Sequence, residues 1–72
     1  MNEVNAKFYV LLNVDNMKFV RSFYNGIPGY TELANEAIKY ESQEYAEKVK
    51  SFCKEKDKLE VKEVQVIVCN MP

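Results

Sequence analysis

Few side chains in this sequence could do covalent or acid–base chemistry, and their types narrow what that chemistry could be. There is no histidine and no tryptophan, while two cysteines, eleven acidic residues, ten basic residues and five tyrosines stand among 72 residues. Without histidine the usual general base is missing, and with it the Ser-His and Cys-His nucleophile pairs and most zinc sites. Carboxylate catalysis would need two groups held in one pocket with separated pKa values. The acidic residues instead fall where the chain reads as helix surface or connector. Glu32, Glu36, Glu41, Glu44 and Glu47 form an acidic tract relieved only by Lys39. Its first reading is a solvated face; the second is a mimic of nucleic acid turned towards a basic partner. "GIPG" (residues 26–29) holds both glycines but lacks the Gly-x-x-x-x-Gly-Lys spacing of a phosphate loop. The expectation is therefore a protein that is not an enzyme and needs no cofactor or metal.

Recognition remains, and it depends on the elements that position the tyrosines and basic residues. A chain of 72 residues makes one domain, here residues 1–72, with a core that contributes little net stability unless a partner helps. Hydrophobic residues are 47% and charged residues 29% of the chain, which places it among globular rather than disordered sequences. A net charge of -1 removes any general attraction to phosphate backbones or anionic lipid. No apolar run reaches the roughly eighteen residues of a membrane helix, and "MNEVNAK" has no signal-peptide pattern. Cys53 is expected near a helix end and Cys69 near the far end of a strand, on the order of 20 Å away, so both are expected as reduced thiols of a cytoplasmic protein.

"KFYVLLNV" (residues 7–14) reads as a strand with Phe8, Val10, Leu12 and Val14 on one face and Tyr9 and Leu11 on the other. Apolar residues on both faces suggest a central strand. Asp15-Asn16 suits a two-residue hairpin turn, so "MKFVRSFY" (residues 17–24) returns antiparallel. That turn sets Leu12 opposite Phe19, Val10 opposite Arg21 and Phe8 opposite Phe23 on the first face. Leu11 then meets Val20, Tyr9 meets Ser22 and Lys7 meets Tyr24 on the second. The first face is the expected core.

The Gly-Pro stretch after Tyr24 reads as a corner carrying the chain to a helical half, with Gly26 and Gly29 supplying positive φ. Beyond it the apolar stripe fails at Glu41-Ser42. Thr31 is expected to cap a short helical turn, residues 37–40 ("AIKY") to run extended and Ser42 to cap the main helix. In that helix Tyr45, Ala46, Val49, Phe52 and Cys53 share one face, and Glu44–Lys48 is an i,i+4 pair. "KEKDK" is a solvated connector. "LEVKEVQVIVC" (residues 59–69) is the last strand, with a bulge near Lys62-Glu63 reconciling its two parities. The whole is an α+β layer in ββαβ order: a hairpin plus a C-terminal strand, with one main helix packed on one face.

The run from "KFYVLLNVDNMKFVRSFYN" through "TELANEAIKY" and "SQEYAEKVKSF" to the closing "EVKEV" resembles short uncharacterised proteins of Gram-positive bacteria and their phages. The likeness covers most of the chain. It implies this fold and a phage or prophage origin, and no activity.

A lone helix covers one sheet face, which would leave Tyr9, Leu11, Val20, Tyr24 and Ile67 open on the second, with Lys7 and Lys18 beside them. Three uses compete for such a face. It could join two copies into a homodimer, or bind a different protein, as a phage inhibitor or accessory factor of a host enzyme would. It could also bind a nucleotide or single-stranded nucleic acid, with Tyr9, Tyr24 and Tyr30 stacking on bases while Lys7, Lys18 and Arg21 contact phosphate.

Overall fold

The computed structural model describes residues 2–70, with the side chains of residues 6–66. Four strands, β1 (Asn2–Asn13), β2 (Lys18–Tyr24), β3 (Ile27–Thr31) and β4 (Leu59–Asn70), form one antiparallel sheet in the order β3-β2-β1-β4. Among the described residues one helix, α1 (Gln43–Ser51), lies between β3 and β4 in the chain, with 3-10 turns at Ala34–Glu36 and Lys56–Lys58. The fold is α+β, as expected, but three strands rather than two precede the helix.

The added strand is the Gly-Pro stretch. Asn25 and Gly26 both take positive φ, 52° and 79°, and join β2 to β3 as a two-residue hairpin turn closed by Tyr24 opposite Ile27. Positive φ at two successive residues is what the tight hairpin turn needs, and Asn-Gly supplies it at little cost. The corner expected here is therefore corrected to a strand, and Gly29 does not use positive φ. Pro28 fits because the turn-closing pair is the hydrogen-bonded one. The next pair, Phe23 with Pro28, then turns the proline nitrogen to the open edge. Gly29 has its own reason: a Cβ there would meet the Ser22 hydroxyl at 2.5 Å.

The first hairpin keeps the expected register, Leu12 opposite Phe19 and Asn13 opposite Lys18, but its loop spans residues 14–17, with positive φ at Met17. Asn13 explains the longer loop, since its side-chain oxygen accepts from the backbone N–H of Asp15 (2.9 Å) and Asn16 (3.3 Å). Past Leu12 the two strands part, and residues 37–40 enter between them. Tyr40 exchanges two 2.8 Å backbone hydrogen bonds with Tyr9 on one side, and the Ile38 N–H donates to the Val20 carbonyl on the other. The segment is extended, as expected. It replaces the pairs expected between β1 and β2 beyond that point: Leu11–Val20, Val10–Arg21, Tyr9–Ser22, Phe8–Phe23 and Lys7–Tyr24.

The main buried cluster lies on the second sheet face, although Val10 and Leu12 of the first are buried as well. Leu11, Val20, Tyr40, Ala46, Cys53 and Leu59 form the buried cluster, with Tyr9, Phe23, Tyr30, Ile38, Val49 and Val61 packed around it. Because β1 is apolar on both faces, its pattern alone does not choose one. The choice comes from β4, whose register with β1 runs unbroken from Asn2–Asn70 to Asn13–Leu59, without the bulge expected at Lys62-Glu63. That register sets Leu59 and Val61 beside Leu11 under the helix, and Val64 and Val66 beside Phe8 and Ala6 on the opposite face. A bulge does occur in β2, where Arg21 is the extra residue between Val20–Tyr30 and Ser22–Gly29. It reverses the side-chain alternation and brings Phe23 to the helix side.

The first face is covered too. Ala34, Asn35 and Lys39 line a groove of about 340 Å³ together with Val64, Gln65 and Val66, so the 3-10 turn lies across that face. Val10 and Leu12 are buried. The Lys39 ammonium holds the turn by donating to the carbonyls of Ala34, Asn35 and Ala37 at 3.1–3.4 Å. Thr31 ends β3 and braces the turn from outside it rather than capping it, accepting from the Leu33 N–H and donating to Glu36.

Ser42 caps α1 as expected, its hydroxyl accepting from the Tyr45 N–H at 3.1 Å. The buried stripe of the helix is narrower than its apolar spacing suggests. Ala46 and Cys53 are buried and Val49 half-buried, while Tyr45 and Phe52 are exposed. Among the described residues the helix ion pair is Glu47–Lys50 at 3.9 Å, in place of the expected Glu44–Lys48. Cys53 is a free thiol whose pKa burial raises; Cys69 lies outside the described side chains. No helix among the described residues is long and apolar enough to cross a membrane.

Candidate interaction surface

The residues expected to share one binding face do not share one. Leu11 and Val20 are 0% and 1% exposed beneath the helix, and Tyr9 is half-buried beside them. Lys7 and Arg21 are exposed and Lys18 is half-buried. The side chain of Ile67 lies outside the described residues.

Tyr30 is tied into a polar bridge. Its hydroxyl donates to Glu55 at 2.6 Å and accepts from the Asn13 side-chain amide at 2.9 Å. The bridge fastens β3, the end of β1 and the connector after the helix to one another. Burial raises the Tyr30 pKa, and the hydrogen bond to Glu55 adds to the rise because a neighbouring carboxylate disfavours phenolate. Tyr40 stands edge-on to Tyr45, ring centres 5.6 Å apart, and burial raises its pKa as well. Tyrosines packed and bonded in this way do not offer one stacking surface.

Tyr24 is different. It is 74% exposed, and its turn-closing partner Ile27 is 52% exposed. Because Phe23 and Pro28 take the helix side, alternation turns Tyr24 and Ile27 to the other face, while Phe52 (74%) is exposed at the helix end behind the turn. Tyr24 and Ile27 close the turn side by side. Phe52 sits at the end of α1, which is pinned to the turn by a 3.0 Å hydrogen bond from the Lys54 N–H to the Gly26 carbonyl. A Cβ on Gly26 would lie 3.5 Å from the Phe52 carbonyl, so strand turn and helix end approach closely. Phe23, Gly26, Val49, Phe52 and Cys53 line an apolar groove of about 210 Å³ there. The Lys54 side chain runs past Gly26 and adds positive charge to the rim.

Sequence reasoning placed Tyr24 at this rim but missed Ile27 and Phe52. Ile27 was hidden by reading the segment as a loop. Phe52 was hidden by its apolar helical spacing, although like Tyr45 seven residues earlier it lies on the flank of a narrow buried stripe. No protein-family model, curated protein or solved structure matches this chain.

Proposed function

We propose that this protein is a non-catalytic cytoplasmic binding protein that grips another protein with the tip of its β2–β3 hairpin and the adjoining end of α1. The observation that carries the reading is the exposure of Tyr24 and Ile27 on one side of the β2–β3 turn and of Phe52 on the other, at a turn tied to the helix end by the Lys54–Gly26 hydrogen bond. Solvent-exposed aromatic residues on a fixed support lose little conformational freedom on binding, which suits them to anchoring an interface. The groove beside Phe52 accepts an apolar side chain of the partner, and Lys54 favours an acidic neighbour to it. A phage or prophage product acting on a host protein is the form of this reading that the sequence resemblance favours.

The test is affinity capture with the wild-type chain and with Phe52→Ser and Tyr24→Ser, each checked by circular dichroism for an unchanged fold. Retention of a specific protein by the wild type, reduced about tenfold or more in either variant, supports the reading. Retention indifferent to both substitutions contradicts it. Micromolar binding of single-stranded oligonucleotides that Tyr24→Ser abolishes would replace it with nucleic-acid recognition.

A further inference from the structure

The outer edge of β4 has no partner among the described residues, because β4 ends the sheet order and β1 occupies its inner side. Which groups face outward follows from the hydrogen bonds of β1. Tyr9 spends both its backbone groups on Tyr40, away from β4, so Tyr9–Glu63 is a non-hydrogen-bonded pair of the β1–β4 ladder. The Val14 N–H reaches the Lys58 carbonyl, in keeping with the same alternation. The N–H and C=O groups of Val61, Glu63, Gln65 and Ile67 therefore point to the open side.

Glu60, Lys62 and Glu63 are the charged residues of this strand, and the other usual guards against edge pairing are missing from its described backbone. β4 runs twelve residues, Leu59–Asn70, without proline, glycine or bulge. Its one basic side chain, Lys62, is 3.9 Å from Glu60, which offsets the charge a solvent-facing edge lysine would present.

We infer that β4 pairs antiparallel with β4 of a second copy of this chain, about a two-fold axis at Gln65, making one continuous sheet across a homodimer. The occupant is a second copy because the edge is complementary to itself. With the axis on Gln65, each outward residue meets another outward residue: Gln65 meets its own counterpart, and Glu63 meets Ile67. Glu60, Val61, Lys62 and Val64 meet Asn70, Cys69, Val68 and Val66, so no charged residue opposes another. Registers centred on Lys62 or Glu63 would oppose like charges directly, which is destabilising. The favoured register also sets Val64 of one copy beside Val66 of the other, extending the apolar row that includes Phe8 and Ala6. The groove beneath the 3-10 turn is lined by Val64, Gln65 and Val66 of this same strand.

Sedimentation equilibrium between about 1 and 500 µM tests the pairing. The wild type is expected to be a dimer. Gln65→Pro removes one outward N–H, which the β1 ladder does not use, and is expected to weaken association by at least about thirtyfold with the circular dichroism spectrum retained. Gln65→Lys, which opposes like charges at the axis and keeps the N–H, covers the case in which proline disturbs the strand. It is expected to weaken association in low salt and to recover partly in high salt. A wild type that stays monomeric throughout overturns the inference, as does a dimer of equal affinity in both variants. A dimer broken instead by Phe52→Ser also overturns it.

Discussion

β3 and β4 are the two edges of one sheet, and they are built on opposite plans. β3 is five residues long, places the nitrogen of Pro28 outward, and lies against a bulge at Arg21. Short length, proline and bulge are the devices by which natural sheets keep an edge from templating another strand. β4 is twelve residues long, regular, and directs a row of free backbone groups outward. At about 3.3 Å per residue its ladder with β1 spans close to 40 Å, nearly the 44 Å long axis of the molecule. The molecule thus presents side chains at one end of its guarded edge, through Tyr24, Ile27 and Phe52, and backbone along its open one. The contrast separates two kinds of contact: heterologous binding by protruding apolar groups, and self-pairing by main chain.

The largest perturbation of this contrast should come at Gly26. Valine there must hold a positive φ and place its Cβ 3.5 Å from the Phe52 carbonyl, which should cost about 2 kcal/mol in urea denaturation. The hairpin tip should loosen and partner capture should fall, while the association constant of the β4 edge stays within about twofold of wild type. A loss of both together would mean that the two edges are one coupled unit.

A smaller effect is expected at Tyr30, which fastens the guarded edge to the body. Tyr30→Phe removes a hydrogen bond to a carboxylate and should cost about 1–2 kcal/mol at neutral pH. The folded-state pKa of Tyr30 is raised above its unfolded value, so its contribution is complete below about pH 10 and declines as the pH rises beyond that. Wild-type stability should therefore fall above pH 10 more steeply than that of Tyr30→Phe. A residual alkaline loss is expected in the variant from Tyr40 and Cys53, both shifted in the same direction, with that of Cys53 setting in at lower pH. Parallel curves for the two proteins would show that the Tyr30 bridge is not the source.

Much of this architecture was legible in the sequence where local chemistry is decisive. Ser42 as helix cap, the extended segment of residues 37–40, and the Leu12–Phe19 register all follow from side chains acting on their own neighbourhood. The errors share a physical origin in choices that local chemistry leaves open. β1 is apolar on both faces, so only the distant Leu59 and Val61 select the one under the helix. One extra residue at Arg21 reverses every side chain after it, which no local propensity announces. Asn25-Gly26 did carry a strong hairpin signal, but Pro28 masked it, because proline argues against a strand unless that strand is an edge. The candidate site was half legible for the same reason. Tyr24 stood out as an aromatic beside a turn, whereas Phe52 shares the apolar spacing of the buried stripe and yet, like Tyr45, lies on its exposed flank.

Residue-resolved hydrogen exchange at two protein concentrations measures the contrast between the edges most directly. As concentration rises from about 10 to 500 µM, the amides of Val61, Glu63, Gln65 and Ile67 should become protected by about tenfold or more, while those of β3 stay unchanged. Protection of β3 instead, or exchange at β4 that is independent of concentration, would contradict the account.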